Sequence, residues 1–188
     1  MQRGLVLADI ERTTSVAPAS SGCERFEQWV ELYQPRVARL AQRLLGWRAD
    51  VEDVVQDVFL AALHHAENFR GDSSPWTWLA AITINRCRRQ QRRAMLWRRL
   101  GLGGWLTSDK TAPEAERAVQ ENEVHQRVRS SIFALPAKER EAIVLYYFEH
   151  CPVEEISGIL GVSINAVDVR LHRARAKLKL ELAELVKD

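Results

Sequence analysis

Residues Val153 to Leu180, VEEISGILGVSINAVDVRLHRARAKLKL, constrain this chain more than any other stretch. The run divides into a short helix, a tight turn at Gly161-Val162-Ser163 and a long second helix. Gly161 supplies the positive φ that a sharp helix-to-helix turn needs. The Ser163 hydroxyl is placed to accept a bond from an orphaned first-turn N–H. Along the second helix Val167, Leu171, Ala174, Leu178, Leu182 and Leu185 recur at steps of three or four, one apolar stripe. Arg170, Arg173 and Lys177 stand on one side of it, and His172, Arg175 and Lys179 on the other. A helix buried along one stripe and cationic on both flanks rests on a hydrophobic base and faces phosphates. The pattern predicts a helix-turn-helix.

Overall charge adds little to this, because the 188-residue chain carries a net charge of only +2. Its distribution says more. Seven arginines lie between Arg86 and Arg99, whereas Asp50, Glu52, Asp53 and Asp57 cluster upstream. Such segregation predicts separate surfaces for separate partners. The three cysteines, Cys23, Cys87 and Cys151, are widely spaced and form neither a disulfide framework nor a zinc pattern, as suits a reducing cytosol. No apolar run reaches the roughly 18 to 20 residues of a membrane span. Residues 1–23 lack the apolar core of a signal peptide and read as a disordered arm. A cytoplasmic protein is expected.

In chain order, Phe26, Val30, Tyr33, Val37, Leu40, Ala41 and Leu44 keep a helical period up to Gly46, with a kink or two abutting helices expected at Pro35. Asp50 is a plausible cap for a helix from Val51 to Ala66, whose Val51, Val55, Val58, Phe59 and Ala62 share a face. Phe69 to Ser74 reads as a loop, and Ser74-Pro75 opens a third helix ending near Arg93. Leu79 and Ile82 of that helix point to a core. Trp78, Asn85, Arg88 or Arg89, and Arg92 fall in a neighbouring row, an aromatic start and a cationic end suited to stacked bases and phosphates. Residues 95–113 read as a linker with exposed apolar residues. A helical pattern resumes at Glu114, pauses at Pro136 and continues from Ala137 to Phe148. No strand alternation is visible. The fold class is all-α, with two small helical domains joined by a flexible linker: 24–94 and 114–188.

Three blocks of this chain, DVEDVVQDVFLAAL, FRGDSSPWTWLAAITINRCRRQQRR and ALPAKEREAIVLYYFEH…VEEISGILGVSINAVDVRLHRARAKL, resemble the extracytoplasmic-function sigma factors, compact initiation subunits of bacterial RNA polymerase. The likeness covers about Phe26 to Arg93 and Val128 to Leu180. It implies a first domain that binds core polymerase and the −10 promoter element, and a second that reads the −35 element. By this resemblance Asp53, Gln56, Asp57 and Leu60 meet the polymerase clamp coiled-coil; without it they are a solvated helix face. The −10 surface then comprises Arg70, Asp72, Trp76, Asn85, Arg88, Arg92 and Arg93, which hold the melted non-template strand and an extruded base. Trp78 reads as core, and Trp76 is balanced between core and base contact. Arg89 departs from the family, which commonly has Asp there.

The −35 surface implied is Ser163, Asn165, Val169, Arg170, His172, Arg173, Arg175 and Lys177 along the major groove. Asp168 and Val169 depart from the usual basic and small polar residues. Asp168 either accepts from a cytosine amino group or complements the helix dipole, the second slightly favoured. The resemblance also implies contact with the polymerase flap, a linker running toward the polymerase channels, and an anti-sigma factor that could hold the protein at the inner membrane face. No catalytic residue, metal site, cofactor or small-molecule substrate is expected: the chain has no Gly-rich phosphate loop, ligand spacing or nucleophile–base set. The competing function is a free-standing helix-turn-helix regulator that binds duplex DNA without polymerase.

Overall fold

The computed structural model of the protein describes residues 22–46, 51–65, 69, 71–100 and 123–183. Residues 1–21 of the disordered arm expected at 1–23, the Asp50 cap, Arg70, residues 101–113 of the expected linker, the start of the helical pattern at Glu114 and the stripe residue Leu185 lie outside them, whereas Gly22 and Cys23 of the expected arm open the first helix. Among the described residues every regular element is a helix.

Helix α1 (Gly22–Leu45) runs unbroken through Pro35, where a kink or break was expected. Pro35 is exposed, so the carbonyl it cannot bond is left to water rather than orphaned in a core. Val37, Leu40, Ala41, Leu44 and Leu45 form the buried end of α1. Gly46 stops it with φ +76, its N–H bonded to Gln42 O at 2.8 Å. Helix α2 (Val51–His65) buries Val54, Val55, Val58, Phe59, Ala61 and Ala62. Phe59 meets Phe26 of α1 edge-on.

Ser74 caps helix α3 (Pro75–Arg99) by accepting the Thr77 N–H at 3.0 Å. The helix extends six residues past the expected Arg93, so Met95 to Arg99 belong to it rather than to a linker. No glycine or proline follows Pro75 before Gly101, and good helix formers carry the run onward. Leu79, Ala80, Thr83, Ile84 and Cys87 are buried, and α1, α2 and α3 pack as a three-helix unit.

The second unit consists of α4 (Glu123–Ala134), α5 (Ala137–Ile143), α6 (Val153–Leu160) and α7 (Ile164–Glu181). The helix expected to run on to Phe148 instead widens after Ile143 into a π-helical turn, Val144–Phe148, closed by Glu149 N–H to Val144 O at 3.2 Å. His150 then takes a left-handed φ of 54, and the chain reverses into α6. Gly161 ends α6 at φ 65, with Val162 N–H reaching back to Ser157 O. Ser163 caps α7 by accepting the Ala166 N–H at 3.3 Å. Val167, Leu171 and Ala174 are the buried stripe, and Leu178 packs at its edge.

The two units share one continuous core. It runs from Leu40 and Leu79 in the first to Val144, Leu145, Ile156 and Leu171 in the second.

Candidate nucleic-acid and polymerase interfaces

On α7 the first two turns past the cap face solvent: Asn165, Asp168, Val169, His172 and Arg173 are exposed. Helix packing alone produces this, because the stripe at Val167, Leu171 and Ala174 turns the intervening positions outward. Asp168 lies beyond the first turn, where the helix dipole has faded, and Ser163 already caps the end. The capping role favoured for Asp168 is therefore corrected. Ser163 is occupied as the cap. Arg170 is half-buried, and its Nη1 is buried with no hydrogen-bond partner among the described residues. Arg175 donates to Tyr147 Oη at 3.0 Å with its guanidinium 5.2 Å from the Tyr146 ring centroid, and Lys177 pairs with Glu139 at 2.8 Å. All three of Arg173, Arg175 and Lys177 are exposed, but Arg175 and Lys177 are tied to the π turn and α5.

Helix α3 presents its cations differently. Asn85, Arg92 and Arg93 are exposed. Arg88 grips Glu141 of α5 in a bidentate pair, with Nε and Nη2 each 2.8 Å from a carboxylate oxygen. That bond raises the Arg88 pKa and keeps the guanidinium charged. Trp76 is 5% exposed, with the Arg36 guanidinium 3.7 Å from its ring centroid. Base stacking on Trp76 is thus closed off in this arrangement, and the balance between the two tryptophans is corrected. Trp78 sits half-buried in an aromatic cluster with Trp29 and Phe69, at centroid distances of 6.0 and 5.2 Å. Sequence periodicity missed Trp29 as part of this cluster. Its signal was available, since Trp29 lies one turn from Phe26 beside the helical row of α1. Asp72 is exposed on the loop that precedes the Ser74 cap.

Asp53, Gln56, Asp57 and Leu60 follow the i, i+3, i+4, i+7 spacing on α2, and all four are exposed. Leu60 and Leu63 are each 48% exposed, so this ridge mixes acid with apolar surface. Asp57 also borders a notch of about 280 Å³ shared with Arg86, Arg89, Gln90 and Arg93 of α3. The family-atypical Arg89 therefore stands in the same notch as Asp57.

The units meet along a seam of opposite charge. Glu149, its side chain 3% exposed, accepts from Arg36 Nε at 2.9 Å and Arg43 Nη1 at 2.8 Å, and its carbonyl accepts from Arg36 Nη2 at 3.1 Å. Thr77 donates to Glu155 at 2.6 Å. Gly46 faces the Phe133 ring so closely that a Cβ there would sit 3.0 Å from it. Cys87 and Cys151 are buried along the seam. Burial, then nearby carboxylates (Glu141 for Cys87, Glu155 for Cys151), push each thiol up to about 12. Among the described residues no three His, Cys, Asp or Glu side chains group as metal ligands, and no helix is long and apolar enough to cross a membrane.

Among the described residues the chain is all-helical, with one capped, outward-facing helix-turn-helix, the architecture of a DNA-binding protein. Sigma-70 region 2 matches residues 29–96, and Sigma-70, region 4 matches residues 125–178. RNA polymerase sigma factor CnrH of Cupriavidus metallidurans is 33% identical, with 90% of this chain and 93% of that protein covered. The ECF RNA polymerase sigma-E factor of Escherichia coli is 32% identical, with 86% and 88% covered. Among solved structures, CnrH in complex with the cytosolic domain of CnrY aligns at a TM-score of 0.64 and 30% identity over 86% of this chain and 90% of that one. The sigma factor RpoE of Bartonella quintana in complex with the anti-sigma factor NepR aligns at 0.67 and 26%, over 85% and 98%. The chain belongs to the ECF sigma factors of RNA polymerase. Sigma factors are not enzymes, and their partners are RNA polymerase and promoter DNA.

Proposed function

We propose that this sigma factor divides promoter recognition between its two units, 24–94 at the −10 element and 114–188 at the −35 element. The exposed first turns of α7 carry the second half of that reading: they are preshaped for a major groove, with Asn165, Asp168, Val169, His172 and Arg173 toward base edges and Arg170 toward phosphate. With the capping role removed, Asp168 acts as an acceptor for a cytosine amino group. On α3, Asn85 contacts the melted non-template strand and Arg92 and Arg93 its phosphates. The Trp29–Phe69–Trp78 cluster beside the Phe69–Ser74 loop supplies the stacking wall for an extruded base. The mixed acid and apolar ridge of α2 docks the clamp coiled-coil, and the second unit meets the flap. Control by an anti-sigma factor fits the likeness to CnrH and RpoE, which are seen bound to CnrY and NepR.

Transcription in vitro with sigma-free core polymerase tests this reading. A promoter-dependent transcript that requires the protein is expected. Duplex binding with no such transcript overturns the assignment and leaves the free-standing regulator.

A further inference from the structure

The seam between the units is segregated by sign. Among the described residues, the ionic and hydroxyl contacts that cross it run from Arg36, Arg43, Arg88 and Thr77 of the first unit to Glu141, Glu149 and Glu155 of the second. We propose that the free chain is self-latched: Glu141 and Glu155 occupy Arg88 and Thr77 of α3 in place of the promoter strand, Glu149 holds Arg36 and Arg43 of α1 across the seam, and the α3 face stays shut without any partner protein.

Three observations carry this. Arg88, a side chain assigned to the non-template strand, has both donor edges filled by Glu141. Trp76, at the start of the same helix, is covered by Arg36, which is itself drawn over by Glu149. Glu149 is nearly fully buried, yet its charge partners all come from the other unit. A buried carboxylate that loses its partners is costly, so the closed seam is specific. When the units part, acid and base both return to water, and the desolvation cost that offset their attraction is recovered. The ionic part of the gain from closing is therefore small: the shared core and the chain connecting the units hold the seam together, and the ion pairs set its register.

The occlusion half of this proposal rests on the assignment of α3 to the −10 strand; the latch half does not. Cys87 and Cys151 give a direct readout, because both thiols are buried along the seam and held well above their ordinary range. In a full-length Cys23→Ser background, labelling by an aromatic disulfide at pH 8 reports opening. The Glu141→Gln/Glu149→Gln variant should label roughly tenfold faster or more, as removal of one side of a buried ion pair implies. It should also bind a short random-sequence single strand more tightly than wild type. Glu154→Gln/Glu181→Gln, a change of equal charge at exposed sites of the same unit, should do neither. Arg36→Ala/Arg43→Ala opens the seam from its other side and guards against misfolding of the glutamine variant. Both seam variants labelling no faster than wild type, with helix content retained, overturns the latch. Faster labelling with unchanged strand affinity, or a gain matched by the control, overturns the occlusion and places the fault in the assignment of α3.

Discussion

Helices α3 and α7, the two helices proposed to read DNA, present their polar side chains in opposite ways. On α7 the proposed readers Asn165, Asp168, Val169, His172 and Arg173 are exposed, and the engaged cations, Arg175 and Lys177, sit toward the C-terminal half. On α3 most of the N-terminal half is buried or half-buried, and Arg88, the second cation along it, is already engaged. A duplex is a rigid partner whose groove exists before binding, so a preformed helix suits it. A melted strand exists only after polymerase has opened the DNA, so a surface exposed in step with that opening suits it better. The difference between the helices matches the difference between their proposed targets.

The comparison breaks most easily at Asn85. Asn85→Ala should lower open-complex formation by about tenfold to a hundredfold while leaving −35 duplex affinity unchanged, as followed by permanganate footprinting and gel shift. Equal loss in both assays would erase the division between the helices. Next in size, Arg173→Ala should cost about 1–3 kcal/mol in −35 duplex binding and spare binding to core polymerase. Loss of core binding instead would show that α7 faces the wrong partner. The smallest effect sharpens the contrast within α7: Lys177→Ala should change −35 affinity by no more than about 0.5 kcal/mol, because its ammonium is held by Glu139 rather than offered to DNA. A loss as large as that of Arg173→Ala would mean that the Glu139 pair dissolves on binding.

Much of this was legible in the sequence, wherever the signal was local. Caps and periods placed α2, α6 and α7 closely, and Ser74, Ser163 and Gly161 each act as their residue types predict. Spacing left Asp53, Gln56 and Leu60 off the apolar face of α2, and the family resemblance added Asp57 to make the exposed ridge. What the sequence did not disclose was non-local or cumulative. Trp76 and Trp78 are two residues apart on one helix, and which of them is covered depends on Arg36 and the second unit, not on α3. The π turn at Val144–Phe148 has no period of its own to detect. The pairing of Arg88 with Glu141 spans 53 positions, and that of Arg36 with Glu149 spans 113, so neither leaves a pattern in any window of the chain. Charge segregation was visible as separate basic and acidic stretches, but the acid that pairs with Arg88 comes from the second unit, while Asp57 of α2 only shares a notch with Arg86, Arg89 and Arg93.

The bidentate Arg88–Glu141 pair has a thermodynamic signature. Added salt weakens the hold of a protein on phosphates in proportion to the counterions released. It also weakens an ion pair that must break before Arg88 can reach DNA, and that second effect favours binding. The free protein should therefore lose single-strand affinity less steeply with ionic strength than its count of cations implies. With the pair removed by Glu141→Gln, the same surface should recover the full slope.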